Sequence, residues 1–464
     1  MKKHFFMAAL PCMALLMAAA SCENENINPY DYAAKNDTIV VNNGGSAMVR
    51  TGLADYPSGS IVWTHDTTLT ASVKIPEGMS LYIEPGVHVT CSSKPVEDHP
   101  VEIVVLGNLY CMGTAEKPVV ISSDTKKPED WGGIICGYGS QEVVLSHTEI
   151  ADAGATPTES SISFQNKLFK TTIDGGVPAF HFCNPNGRFV MAHCYLHDNY
   201  NDQTYFTGGN GVIYNNVFAD SGNSSDGGEA VNVKSGCKLD VAYNLIYNAC
   251  TNAFKLSNAG IETGLAPTEI HIYNNTVVDC GWRREKNKKG GSIWLEKGIY
   301  PLLQNNLVYD CRFGLKQPTK DGADIEHSVL SPNFFFASTA EGVEQMSAES
   351  SGVIYLAASP SSSKAGELNP LFVNFQQNDK MNINCQTDDV DAGAPLAYNP
   401  AWDFHLQASS PALSGAVASV QQLWPDGLAF YGMKKVQFFD TANDQDYHFA
   451  CPTAKPFFGA FGTK

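Results

Sequence analysis

Positive charge is scarce in this chain. Its 464 residues carry 30 Lys and Arg against 48 Asp and Glu, a formal charge of −18 at pH 7. A nucleic-acid partner needs a basic face to neutralise its phosphates, so no nucleic-acid partner is expected. Long apolar runs are also few: beyond Phe5–Ala20 no segment is long enough to span a bilayer. Close cysteine pairs are missing. None of the 13 cysteines stands in a CxxC, which leaves metal clusters with little support. What remains abundant is Gly (40), Asn-rich turns and 43% hydrophobic residues, a composition that suits many short strands better than long helices.

The opening MKKHFFMAALPCMALLMAAASC has two lysines, an apolar stretch and small residues before Cys22. This is the pattern of an export signal, too short and wrongly flanked for a spanning helix. Ala19-Ala20-Ser21-Cys22 resembles a bacterial lipobox, which implies lipidation of Cys22 and a membrane anchor. The polar, acidic ENENINPYDY that follows suits a tether, and is loosely similar to surface-export signals of Bacteroides relatives. The expected division is signal 1–21, tether 22–36, main body 37–415 and C-terminal cap or tail 416–464. Removing residues 1–21 takes away Lys2 and Lys3 and no acid, so −18 becomes −20. Outer-membrane, cell-surface placement follows as an expectation.

A repeat decides the fold. The pattern apolar, any, Asn/His, Asn/small, apolar, apolar, any, Asp/Asn reads LSHTEIAD from Leu145, MAHCYLHD from Met191, IYNNVFAD from Ile213 and VAYNLIYN from Val241. It continues as IYNNTVVD from Ile272, LQNNLVYD from Leu303 and, more weakly, IEHSVLSP from Ile325. Its fourth positions, Thr148, Cys194, Asn216, Asn244, Asn275, Asn306 and Ser328, are spaced by 46, 22, 28, 31, 31 and 22 residues, the first step read as two turns. Such a period is one coil of a parallel β-helix, three short strands and three turns. The fold class is therefore all-β: a right-handed, single-stranded parallel β-helix with capped ends. Coils stack about 4.8 Å apart, so Asn216, Asn244, Asn275 and Asn306 align as a side-chain amide ladder. Cys280 and Cys311 fall in one column by the same arithmetic, and the cysteines read as buried small apolar residues.

The succession IEPG from Ile83, GTAEKP from Gly113 and WGGI from Trp131 resembles the N-terminal coils of exported bacterial β-helix proteins of the pectate-lyase-like superfamily. Asn369–Phe372, Asp403–Leu406 and Ser410-Pro411 resemble its closing coils. Residues 37–60 are expected to cap the first coil, 336–368 to form a long loop, and 416–464 to fold back as the other cap. The superfamily contains lyases, hydrolases, epimerases and binding proteins, so the resemblance implies the fold alone.

After each repeat comes a strand: AFHFCN from Ala179, AVNVKS from Ala230, AFKLSN from Ala253, SIWLEK from Ser292 and GLKQPT from Gly314. Alternation places His181, Asn232, Lys255, Trp294 and Lys316 in one outward column, beside Cys183, Lys234, Ser257, Glu296 and Pro318. An exposed Trp294 between lysines is a platform for a charged sugar, with ring stacking and charge pairing; a solvated sheet face is the plain alternative. The loop Arg283-Arg284-Glu285-Lys286-Asn287-Lys288-Lys289 supplies five basic residues, and Arg283 and Arg284 are assigned to the same ligand.

Gly227–Ser235 (GGEAVNVKS) is similar to a motif of chondroitinase B and alginate lyase-type polysaccharide lyases. That resemblance implies Glu229 as a calcium (Ca2+) ligand, Lys234 as the base and Lys255 where the family has an arginine. Asp226 is a further candidate ligand. The family's second calcium acid falls on Gly227, which departs from the pattern. β-Elimination removes a proton beside a uronate carboxylate that must first be neutralised, and a lysine near another positive charge can take that proton. A polygalacturonase-type hydrolase is disfavoured, since no aspartates cluster at adjacent outward positions. Two functions stay open: a monomeric, lipid-anchored protein that binds an anionic polysaccharide, or a polysaccharide lyase.

Overall fold

In the computed structural model the described residues are 56–57, 60–168, 171–173, 175–222, 227–283, 291–346, 352–354, 358–376, 397–435 and 447–464. Cys22, the tether and nearly all of the expected N-terminal cap lie outside them. Three parallel sheets of nine, ten and nine strands run through the described body. The first sheet runs from Ser60–Trp63 to Leu302–Gln304, the second from Thr67–Leu69 to Phe334–Phe336, and the third from Val73–Ile75 to Leu315–Lys316. Each coil contributes one strand to each sheet, which makes a right-handed parallel β-helix. No described helix is long and apolar enough to cross a membrane.

The repeat is explained by its turns. Between the first and second sheets the third repeat position takes a left-handed backbone: His147, His193, Asn215, Tyr243, Asn274 and Asn305 have φ between 44° and 59°. After the second sheet the eighth position does the same, at Asp152, Asp198, Asp220, Asn248, Asp279 and Asp310, with φ between 45° and 66°. Asn and Asp tolerate this region better than other non-glycine residues, which is why the consensus carries them there. Position four holds the coils together. Asn216, Asn244 and Asn275 each donate Nδ2 to the next Asn Oδ1 at 2.9 Å, and Asn306 donates to Asn333 at 2.8 Å. Each Oδ1 also accepts the backbone N–H of the Asn one coil earlier, at 2.9–3.1 Å.

One continuous hydrophobic core fills the interior, with seven cysteines among its residues. All ten described cysteines are buried and unbridged. Cys280 and Cys311 stack as expected: Cys311 Sγ accepts Cys280 N, and Cys280 Sγ accepts Ala249 N, both at 3.4 Å. Cys385 lies outside the described residues.

Outside the core, the three faces differ. The first sheet's outer face (Tyr82, Tyr110, Val190, Tyr273) is covered by Leu428, Phe430, Met433 and Cys451 of the C-terminal tail. Glu142 accepts Tyr431 N and Gly432 N at 3.1 and 3.0 Å, and Asp240 accepts Leu423 N and Trp424 N at 3.0 and 2.8 Å. The second sheet's last strands (Tyr247, Tyr309, Phe336) pack under Phe372, Phe404 and Phe458. On the third sheet, Leu168 and Val177 of an insertion cover Val104 and Ile135. The remaining, C-terminal half of the third sheet carries polar and charged side chains instead.

Several expectations change. Residues 142–146 pair directly with 188–192, so the 46-residue step is one coil bearing an insertion, not two turns. The fourth position of the last copy is Asn333, not Ser328, and it extends the ladder one coil beyond Asn306. Phe372–Asn374 and Asp403–Leu406 form an antiparallel pair against the second sheet instead of closing coils, because their aromatic residues cover Tyr309 sideways. The coils therefore end near Ser362, where Ser361 makes a last parallel bridge to Phe335, well before 415. Part of the expected loop 336–368 is the helix Ala340–Met346, and its Val343 and Met346 pack on the core at that end. The described residues of the tail from 416 run along the flank of the first and second sheets.

Asn244 serves four ladder hydrogen bonds, and truncation leaves buried donors and acceptors unmet. Asn244→Ala is expected to lower unfolding free energy by about 3 kcal/mol in urea titration, whereas a surface Asn→Ala control changes it little. Asp279 is fully buried, neither carboxylate oxygen finds a hydrogen-bond partner, and Asp310 stacks one coil away. Burial first, then the Asp310 charge, holds the Asp279 carboxyl well above the usual range. Its proton is kept by the fold but released by the unfolded chain, so stability falls as pH rises from about 4. Asp279→Asn should raise the melting temperature at pH 7 and not at pH 4; an equal or lower value at pH 7 would count against this account.

Candidate functional site

The register of the third sheet builds the site. Lys74, Val104, Ile135, His181, Tyr205, Asn232, Lys255, Trp294 and Lys316 are successive partners across its nine strands. The expected column is thus present, with one rung the sequence reading passed over: Tyr205, on the strand Thr204–Phe206. That strand follows no Ala-apolar opening and runs into Gly208-Gly209, so it lacked the signature used for the others. Beside the column, Ser257 pairs with Glu296, and Lys234 comes one residue after Val233. A further column stands two residues before each strand's start, and holds Asp202, Glu229 and Asn252. Counting back from the aligned strands would have found Asp202 and Asn252.

These side chains point away from the apolar core yet are shielded from solvent. Lys234 is 1% exposed, Glu229 2%, Glu296 4% and Lys255 7%. They form two pairs: Lys255 Nζ lies 3.7 Å from Glu229 Oε1, and Lys234 Nζ lies 3.9 Å from Glu296 Oε1. Trp294 Nε1 donates to Glu296 Oε2 at 2.7 Å. Asn252 Nδ2 donates to Glu229 Oε1 at 3.2 Å. Asp202 is a hub: its Oδ1 accepts Gly228 N and Glu229 N at 3.0 Å each, and its Oδ2 accepts Asn232 Nδ2 at 2.9 Å. Lys234 Nζ sits 5.7 Å from the Tyr205 ring centre, and His181 meets the same ring edge-on at 5.8 Å. The amide oxygens of Asn232 and Asn252 and the hydroxyl of Thr207, all buried, have no hydrogen-bond partner.

Residues 56–159 match the family described as a pectate-lyase-like β-helix domain. The match spans under a quarter of the chain and stops before the polar cluster. Comparison with curated proteins and with solved structures finds no match. The β-helix domain fits carbohydrate binding or lyase chemistry without selecting either.

Set against the sequence expectations, the β-helix gathers His181, Asn232, Lys234, Lys255, Trp294, Glu296 and Glu229 on one face. It does not leave them exposed. Trp294 is 4% exposed and braces Glu296, so it is no open stacking platform. The two lysines face separate carboxylates, where the sequence reading set them side by side. Lys316, at the column's end, lies 3.3 Å from the Phe313 ring centre, and burial, then the Arg312 charge, pushes its ammonium down to about 8. Arg284 and Asp226 lie outside the described residues.

Arg283 is drawn away from a ligand by its neighbours. Its Nε donates to Asn248 Oδ1 at 3.0 Å, Nη2 to Ser221 O and Asn248 O at 2.6 and 2.7 Å, and Nη1 to Gly222 O. It ties adjacent coils together. Among the described residues no group of three or more His, Cys, Asp or Glu is placed to hold a metal, and Asp226 is not one of those residues. The planar fork of Arg283 matches carbonyls that a lysine cannot reach together. Arg283→Lys is expected to cost about 2 kcal/mol of stability in urea unfolding; unchanged stability would return Arg283 to the list of ligand contacts.

Proposed function

We propose that the C-terminal half of the third sheet's outer face binds an anionic polysaccharide, on a protein held at the outer membrane surface by a lipid on Cys22. The reading rests on one observation: four charged side chains and the unmet oxygens of Asn232 and Asn252 share one desolvated patch on the outer face of the third sheet. Burying ion pairs gives little net stability, since desolvation offsets the Coulomb gain, and a hydrophobic patch of equal size would do as well or better. A cluster of such charges that ties no covering segment to the coils is a candidate for function. A ligand carboxylate or sulfate can take an ammonium from Lys234 or Lys255, and sugar hydroxyls can donate to the unmet amide oxygens.

β-Elimination is the second reading, favoured because Lys234 and Lys255 occupy neighbouring columns of one face. One lysine would neutralise the uronate carboxylate while the other removes the C5 proton; the C4=C5 double bond forms as the C4–O glycosidic bond breaks, and the departing sugar oxygen takes a proton from the protonated lysine or water.

A panel of immobilised glycans, read for both retention and cleavage, separates the two. Binding alone is expected to retain polygalacturonate, alginate or chondroitin sulfate without products, and Lys234→Ala with Lys255→Ala should weaken retention at least about tenfold. Lyase activity would raise absorbance at the ultraviolet band of unsaturated uronate, and Lys234→Ala would remove that rise. Retention of neutral glycans only would defeat both readings.

A further inference from the structure

The surroundings of Glu229 speak against a metal there. Its Oε1 already meets Lys255 Nζ at 3.7 Å and Asn252 Nδ2 at 3.2 Å. The neighbouring carboxylate, Asp202, spends both oxygens on donors, two backbone N–H groups at 3.0 Å and Asn232 Nδ2 at 2.9 Å. Asn232 and Asn252 therefore turn nitrogen, not oxygen, toward the carboxylates. Calcium gathers six to eight oxygens at about 2.3–2.6 Å. Seating it here would break these hydrogen bonds, reverse both amides and set a divalent charge against an ammonium. The Coulomb cost of that last contact is large wherever water is excluded.

From this geometry we infer that the ammonium of Lys255 is the built-in cation of the site, standing where a metal would stand on Glu229, so that the face receives its anionic sugar without a divalent ion. For the identity of the ligand this rests on the reading under Proposed function; for the absence of a metal it does not. Asp202 is the positioning residue of the arrangement. Its carboxylate fixes the backbone of Gly228 and Glu229, and so aims the Glu229 side chain at Lys255.

Two arms test it on the full chain. In the first, calcium chloride is titrated into the protein by calorimetry, and thermal unfolding is followed in EDTA and in about 5 mM calcium, above the weakest extracellular calcium sites. No binding heat and an unchanged melting temperature are expected. A calcium-dependent rise in melting temperature that Glu229→Gln removes would overturn the inference. In the second, retention on polygalacturonate, alginate and chondroitin sulfate is compared in EDTA and in calcium. Equal retention supports the inference, and retention only in calcium overturns it. If no anionic glycan is held in either buffer, the ligand reading fails, while the first arm still decides the metal question. Lys255→Met should lower the melting temperature and weaken glycan retention, because the buried Glu229 carboxylate then loses the Lys255 ammonium.

Discussion

Side-chain amides stacked from Asn216 to Asn333 hold five successive coils in register, and every surface of the molecule depends on that register. Each Asn accepts on its oxygen from the coil before it, and all but Asn333 donate from Nδ2 to the Asn of the next coil. A slip of one residue would break every rung and turn the alternating strands inside out. Because the rungs hold, Lys234, Lys255 and Glu296, far apart in sequence, share one patch of sheet. Coil stacking also explains why unbridged cysteines are tolerated: in a column of the core a thiol acts as a small apolar group that can accept a backbone N–H.

The three outer faces of the solenoid are treated differently, and this difference locates the site. Two are sealed by aromatic residues of the C-terminal third, which lies along the coils and ties them through Glu142 and Asp240. The third is sealed by apolar residues only over its N-terminal half. Beyond Ile135 the same column turns to His181, Tyr205, Asn232, Lys255, Trp294 and Lys316, although the backbone is unchanged. Nothing in the strand geometry requires that change. The fold supplies a flat, ordered face, and the choice of side chains on it belongs to function.

Much of the fold was legible in the sequence because its main determinants are periodic. Left-handed turn positions select Asn and Asp, the ladder selects Asn, and the strands alternate, so each coil writes the same short phrase. Where the phrase is interrupted the reading went astray: the insertion after Asp152 passed for a whole coil, Thr204–Phe206 went unseen, and Asn333 was displaced by Ser328. The site was legible as a column and not as an environment. Alternation tells which way Trp294 points, but covering segments come from elsewhere in the chain and leave no mark on the strand itself. The partners chosen by Lys234 and Lys255 were hidden for the same reason. Arg283 looked like part of a cationic surface until its guanidinium was seen to hold backbone carbonyls of earlier coils.

The central claim is that the buried charges of the third sheet serve a ligand and not the fold. The most direct measurement replaces all four together, Glu229→Gln, Lys234→Met, Lys255→Met and Glu296→Gln, and compares urea unfolding and anionic-glycan retention with the wild type. Stability equal to or above that of the wild type with retention lost is the expected result, since removing whole buried ion pairs relieves desolvation. A loss of several kcal/mol in stability would contradict the claim and make the cluster a structural brace.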